Sequence, residues 1–180
     1  MITADATIAW KKNPHPRYAV AMKKETVTPA DRLRVLLKIY PLALLLAMFI
    51  SALHAGILFT LGDFLEWLGA WARATLGGRP TDILVVLAAI SGLFVAHIAE
   101  ASIWAAFFWK SGHLASFGDG WYYACVSHTA LGYGDVVLSK PWRSLGPICA
   151  INGLLTFGCS TAALFLVLQR VWHHKLYALV

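Results

Sequence analysis

Residues 121–135 read WYYACVSHTALGYGD, two glycines flanking one tyrosine with a carboxylate directly after. Gly132 and Gly134 can take backbone dihedrals closed to other residues, so successive carbonyl oxygens there can turn toward one side. A row of carbonyls suits a hard cation, because it replaces the oxygens of the ion's hydration shell. Taken alone, Gly-Tyr-Gly is equally what a turn requires. A second group with chemistry lies earlier, where His97, Glu100 and Trp104 follow one another a helical turn apart inside a long apolar segment. Ionisable groups in such a setting are functional hypotheses by default. His97-x-x-Glu100 offers two metal-ligand types without a clear third. His54 sits near the end of its own apolar stretch, at a depth that does not obviously match His97. A structural hydrogen-bond cluster is therefore favoured over a metal site. No nucleophile–base pair and no metal triad appears, so an enzyme reading has little support.

The elements that hold these residues are apolar. Of the 180 residues, 59% are hydrophobic and 13% charged, against about a quarter charged in a soluble domain. That composition describes one domain of an integral membrane protein. The net charge of +6 is concentrated near the N-terminus, in Lys11, Lys12, Arg17, Lys23, Lys24, Arg32 and Arg34. A basic arm beside a membrane segment fits anionic lipid headgroups better than nucleic acid. The stretch has no short apolar core followed by small residues, as a signal peptide would. Cys125, Cys149 and Cys159 lie in apolar contexts with no metal-binding spacing and read as buried free thiols. Cys149 and Cys159 are separated by about 15 Å of helical rise and cannot bond within a chain.

Along the chain, residues 1–28 form the polar basic arm, and 29–40 mix Arg32, Arg34 and Lys38 with leucines as an interfacial helix would. Pro41 kinks or restarts the helix. Residues 41–61 carry no formal charge and make a first span. Residues 62–78 put Phe64, Trp67, Leu68 and Trp71 on one face, as in a second interfacial helix, stopped by Gly77-Gly78. Thr81 or Asp82 caps the second span, 83–109, which ends in the aromatic anchor Trp104, Phe107, Phe108 and Trp109. Residues 119–130 are a half-helix too short to cross, 130–135 the glycine-rich segment, 145–168 the third span and 171–180 a tail.

Residues 121–135 resemble the pore helix and selectivity filter of tetrameric potassium channels, whose usual core is T-V-G-Y-G-D. Residues 152–164 (NGLLTFGCSTAAL) resemble the inner helix of bacterial two-span potassium channels, and Gly134 to Gly153 is close to that family's distance from filter to hinge glycine. The likeness covers residues 83–170, within a pore unit spanning 79–170; the first span lies outside it. It implies an all-α integral membrane fold of three transmembrane helices plus a re-entrant pore helix and filter, assembled as a homotetramer. Four copies of Ala130, Leu131, Gly132, Tyr133 and Gly134 would line an ion path holding K⁺ on the carbonyls of Leu131, Gly132 and Tyr133, with no organic cofactor. Thr129, Asp135, Tyr122, Tyr123, His128 and Glu100 would support the filter, with Tyr133 packed on Tyr122 and Tyr123. Gly153 and Gly158 would pack helices closely or hinge a gate, and Phe157, Thr161, Leu164 and Leu168 would line the cavity.

Two positions depart from the family. Ala130 stands where a threonine hydroxyl completes the innermost ion site, and the Thr129 side chain should face backward. A weakened inner site and relaxed K⁺ over Na⁺ discrimination follow. Val126 stands where several members keep a carboxylate for the Asp after the filter, so Asp135 needs another partner or faces the mouth as an exposed charge. If the second span packs on the pore helix, Glu100 reaches His128 and braces the filter from behind, and a histidine there would make conduction pH-sensitive. No arginine repeats every third residue, so no voltage sensor is expected, and about ten residues after the last span leave no room for a ligand-binding domain. The family's usual orientation places the basic arm outside, against the positive-inside tendency; the inverted arrangement of glutamate-receptor-like channels would place it inside. The usual orientation is kept. The expected function is a potassium-type cation channel in a cell membrane, a bacterial inner membrane being the expected one. A weakly selective or non-selective cation channel and a non-conducting channel-like scaffold are the alternatives.

Overall fold

The computed structural model describes residues 28–177; the basic arm, and with it the expected lipid contact, lies almost wholly outside them. Every regular element among the described residues is helical. A short helix α1 (Pro29–Arg34) runs into a π-helical stretch, Val35–Ile39, and then into α2 (Tyr40–Leu76). Pro41 explains the change of register. It has no N–H to give to a carbonyl of the preceding turn, and its ring crowds that turn. After α2 come α3 (Gly78–Lys110), α4 (Phe117–His128), one 3₁₀ turn (Trp142–Ser144) and α5 (Leu145–Tyr177). Three of the helices are long and apolar enough to cross a membrane, as a multi-pass membrane protein requires.

Several boundaries differ from the sequence expectation. No separate interfacial helix begins after residue 61, because α2 continues unbroken to Leu76. A lone Gly62 weakens a helix but does not end one, and no proline follows it to remove a hydrogen bond. The turn comes at Gly77, whose φ of 79° reverses the chain into α3. Neither Thr81 nor Asp82 caps α3. Thr81 lies within the first turn and donates its hydroxyl back to the Gly77 carbonyl at 2.6 Å. Asp82 lies 3.9 Å from Arg73 of α2 and helps close the hairpin. The half-helix starts at Phe117 rather than 119, since Ser116 caps it by accepting the Asp119 amide at 3.1 Å. It ends at His128, and α5 runs past residue 168 to Tyr177.

The core lies where α2, α3, α4 and α5 meet. It contains Ala43 and Ile50 from α2, Trp104 and Phe108 from α3, Tyr123 and Ala124 from α4, and Leu145 and Cys149 from α5. Trp104 and Phe108 are thus not a boundary anchor. Their rings stack at 5.7 Å in the interior, while Trp109 stays exposed. Asn152 ties three helices together. Its Oδ1 accepts from Trp104 Nε1 at 2.9 Å, and its Nδ2 donates to the Ala47 carbonyl at 3.1 Å and to Ser51 Oγ at 2.9 Å. A buried amide satisfied from three sides fixes register, because any slip leaves paired polar groups unmade. The N-terminal span is therefore built into the core. Of the cysteines, Cys149 is buried and Cys125 half-buried, but Cys159 is exposed on the chain surface, against expectation.

Candidate functional site: an open glycine segment backed by a buried histidine cluster

Helix α4 ends at His128, and the chain then passes through a turn at 129–130 into irregular backbone over 131–134. The turn off the helix is held by Thr129 N to the Cys125 carbonyl at 3.1 Å, Ala130 N to Ser127 at 2.9 Å and Gly132 N to Val126 at 3.1 Å. The Thr129 hydroxyl points back along the helix, donating to the Cys125 carbonyl at 2.7 Å. Beyond it φ is positive at Ala130 (57°), Gly132 (60°) and Gly134 (74°), and not at Leu131 or Tyr133 between them. Alternating the hand of the backbone turns successive peptide planes back on themselves, so polar groups of one kind gather on one side. Glycine adopts the left-handed region freely; Ala130 does so at a cost of about 1–2 kcal/mol. The whole segment 129–135 is exposed in the single chain, Leu131 at 55% and Tyr133 at 67%.

Tyr133 is 67% exposed in the single chain, and its expected packing on Tyr122 and Tyr123 belongs to the assembled pore. Tyr123 is buried edge-on against Phe108 at 4.9 Å, and Tyr122 donates its hydroxyl to Asp135 Oδ2 at 2.5 Å. Tyr122 is thus the partner that Asp135 lacks at Val126. The hydroxyl beside it holds the Asp135 carboxyl below its ordinary value, helped by the Val136 amide. The same bond raises the Tyr122 phenol, which would lose its proton beside a carboxylate.

Behind the segment, three helices bring titratable groups to one point and a fourth adds a serine hydroxyl. Glu100 of α3 is fully buried, with His54 Nδ1 of α2 at 2.6 Å from Oε1 and His97 Nδ1 at 3.3 Å from Oε2. His128 Nε2, at the end of α4, lies 3.4 Å from the same Oε2, at ion-pair distance but without hydrogen-bond geometry. On the far side, Ser160 Oγ of α5 lies 2.9 Å from His97 Nε2 and 3.2 Å from His54 Nε2. The His54 and His97 rings stack at 5.3 Å, and Phe157 lies flat on His97 at 3.9 Å. Ligand atoms of His54, His97 and Glu100 all fall within 4.8 Å of one another.

This geometry corrects the reading of His54. The sequence set it near the end of a span closing at residue 61. Because α2 runs on to Leu76, His54 lies well inside the helix, facing His97. The third candidate ligand missing from His97-x-x-Glu100 is present. The sequence held one usable signal, a histidine in an otherwise uncharged apolar run. Only the true helix end showed which residue it would meet. Ser160 and Asn152 carried no signal at all.

The inner-helix residues divide. Gly153 lies against the end of α4, where a Cβ would overlap the His128 carbonyl, so only glycine fits. Gly158 faces open space. Phe157 turns its ring onto the histidines, Thr161 donates its hydroxyl to the Phe157 carbonyl at 2.8 Å, and Leu168 is half-buried. Leu164 lines a cleft of about 590 Å³ between α2, α3 and α5, whose rim carries Arg73–Asp82 and a 2.6 Å pair of Arg170 with Glu66.

No curated protein and no solved structure matches this chain. Residues 83–170 match a protein-family model described as "Ion channel", a stretch that takes in nearly all of α3, the whole of α4 and the glycine segment, and most of α5. With a half-helix, a left-handed backbone alternation and an apolar helix following it, this part of the chain is similar to the ion-channel family.

Proposed function

We propose that four copies of this chain assemble around residues 130–134 to form a potassium-type cation channel, passing K⁺ down its electrochemical gradient. The observation that carries this reading is the positive φ at every second residue, 130, 132 and 134, directly after a half-helix. One exposed strand of this kind has no use for its carbonyls. Irregular backbone at membrane depth is tolerated where it lines a water-filled path or is buried in protein, and a four-fold ring supplies both. The carboxyl-terminal end of α4 adds the negative end of its dipole near the path. Tyr133, exposed in one chain, would find its packing against neighbouring subunits. The test is K⁺ flux in liposomes holding the purified chain, with the stoichiometry read by mass. Flux from a tetramer is expected. A folded tetramer without flux would leave the non-conducting scaffold.

A weakly selective channel is a second reading with its own observation: Ala130 takes the left-handed conformation but brings no hydroxyl to the inner end of the path. Reversal potentials in mixed K⁺ and Na⁺ separate the two, and Ala130→Thr is expected to move the ratio toward K⁺. Full K⁺ selectivity in the native chain removes this second reading.

A further inference from the structure

We propose that His54, His97 and Glu100 form a binding site for a transition-metal dication of the zinc class, buried behind the glycine segment, with His128 as the fourth ligand. It stands apart from K⁺ conduction, and the argument is a count of protons. Both Nδ1 atoms face the Glu100 carboxylate, which only accepts hydrogen bonds, so in a neutral cluster both rings carry their proton on Nδ1. Both Nε2 atoms then present lone pairs to Ser160, at 3.2 and 2.9 Å. One hydroxyl proton serves one of them, and the other lone pair meets the serine oxygen with nothing between. The neutral cluster does not close.

A dication at the Nδ1–carboxylate side closes it. Each ring binds the metal through Nδ1 and moves its proton to Nε2. Ser160 then accepts from both rings through its two lone pairs, the outer hydrogen bond that a metal-bound histidine makes as a rule. One additional proton on the cluster also satisfies Ser160. It does nothing for His128, which is 1% exposed and has neither ring nitrogen hydrogen-bonded. His128 Nε2 lies 3.4 Å from Glu100 Oε2, and His97 Nδ1 lies 3.3 Å from it. Neighbouring ligand atoms around a tetrahedral zinc are about 3.4 Å apart, given bond lengths near 2.1 Å. Three imidazoles and one carboxylate select Zn²⁺, Co²⁺ or Ni²⁺ over the all-oxygen preference of Ca²⁺ and Mg²⁺.

The test is a Co²⁺ titration of the purified, chelator-stripped full chain in detergent at neutral pH. One Co²⁺ per chain is expected, with the visible d–d bands of a four-coordinate site, bleached by one equivalent of Zn²⁺. His54→Gln and His97→Gln should each weaken binding by about 100-fold or more, since losing a primary ligand costs at least as much as losing its support. Wild-type protein that keeps its helical circular dichroism but gives no bands overturns the site, and so do bands unchanged in His54→Gln. Should either variant not fold, the wild-type titration and zinc competition decide by themselves. Liposome flux is read separately, so loss of conduction and loss of the site are distinguishable.

Discussion

The two halves of the site are built by opposite means. The segment 129–135 is continuous, exposed and made of backbone, and its geometry comes from two glycines and the end of one helix. The cluster behind it is discontinuous, buried and made of side chains from four helices. His128 belongs to both: its carbonyl is covered by Gly153 of α5 and its ring faces Glu100. A backbone site tolerates changes of side chain that leave φ alone. A side-chain site tolerates changes of backbone sequence elsewhere but none to its own members. The difference teaches where each should break.

The largest effect is expected at the glycines. Gly132→Ala places a Cβ in the left-handed region four times in the proposed ring, at about 1–2 kcal/mol each. K⁺ flux in liposomes should fall to background while the tetramer survives gel filtration. Flux near wild type would show that the alternation at 130, 132 and 134 does not shape the path.

Gly153→Ala comes next and tests the joint between the halves. Its Cβ meets the rigid His128 carbonyl, so about 1–3 kcal/mol of overpacking is expected. Gly158→Ala meets nothing and should be neutral, or slightly stabilising through helix propensity. Melting temperatures of the two variants in detergent should separate in that order. Equal values would mean that α5 does not rest on the end of α4.

Glu100→Gln probes the cluster alone. It keeps the volume but replaces the carboxylate acceptor of His54 and His97 with an amide, and about 1–3 kcal/mol of stability should be lost. Thermal melts measure it, and an unchanged melting temperature would mean that Glu100 holds nothing together.

The smallest effect is at the mouth. The Tyr122 hydroxyl keeps the Asp135 carboxyl below its ordinary value, so the carboxylate persists as pH falls and loses its charge only through that lowered pKa. Tyr122→Phe removes the donor and lets the carboxyl rise. The acid limb of the flux–pH curve should begin at a higher pH than in wild type. A curve shifted the other way, or not at all, would separate Asp135 from ion entry.

These contrasts also explain what could be read before the fold was seen. The glycine segment was legible because its chemistry lies in consecutive residues and in two dihedral permissions that glycine alone carries. The spans were legible because crossing hydrocarbon demands length and apolarity, both local sums. The end of α2 was not, since Gly62 and the Trp67–Trp71 face fit an interfacial helix as well as a continuing one. That error displaced His54 and hid its place beside Glu100, whose approach to His97 and His128 was expected. Tyr122 as the partner of Asp135 was equally hidden, because two residues thirteen apart meet only through the turn off α4.

By itself the sequence determined an apolar helical chain, a half-helix and a backbone able to align carbonyls. Composition, periodicity and glycine sterics act over a few residues and need no partner. The tertiary structure alone decided that His54, His97, Glu100, His128 and Ser160 share one buried point, and that Asn152 locks the N-terminal span into the core. Those contacts depend on where each helix ends and how far it is rotated against its neighbours. Small residues at close approaches and satisfied buried hydrogen bonds set those two quantities, and both exist only once the helices have packed.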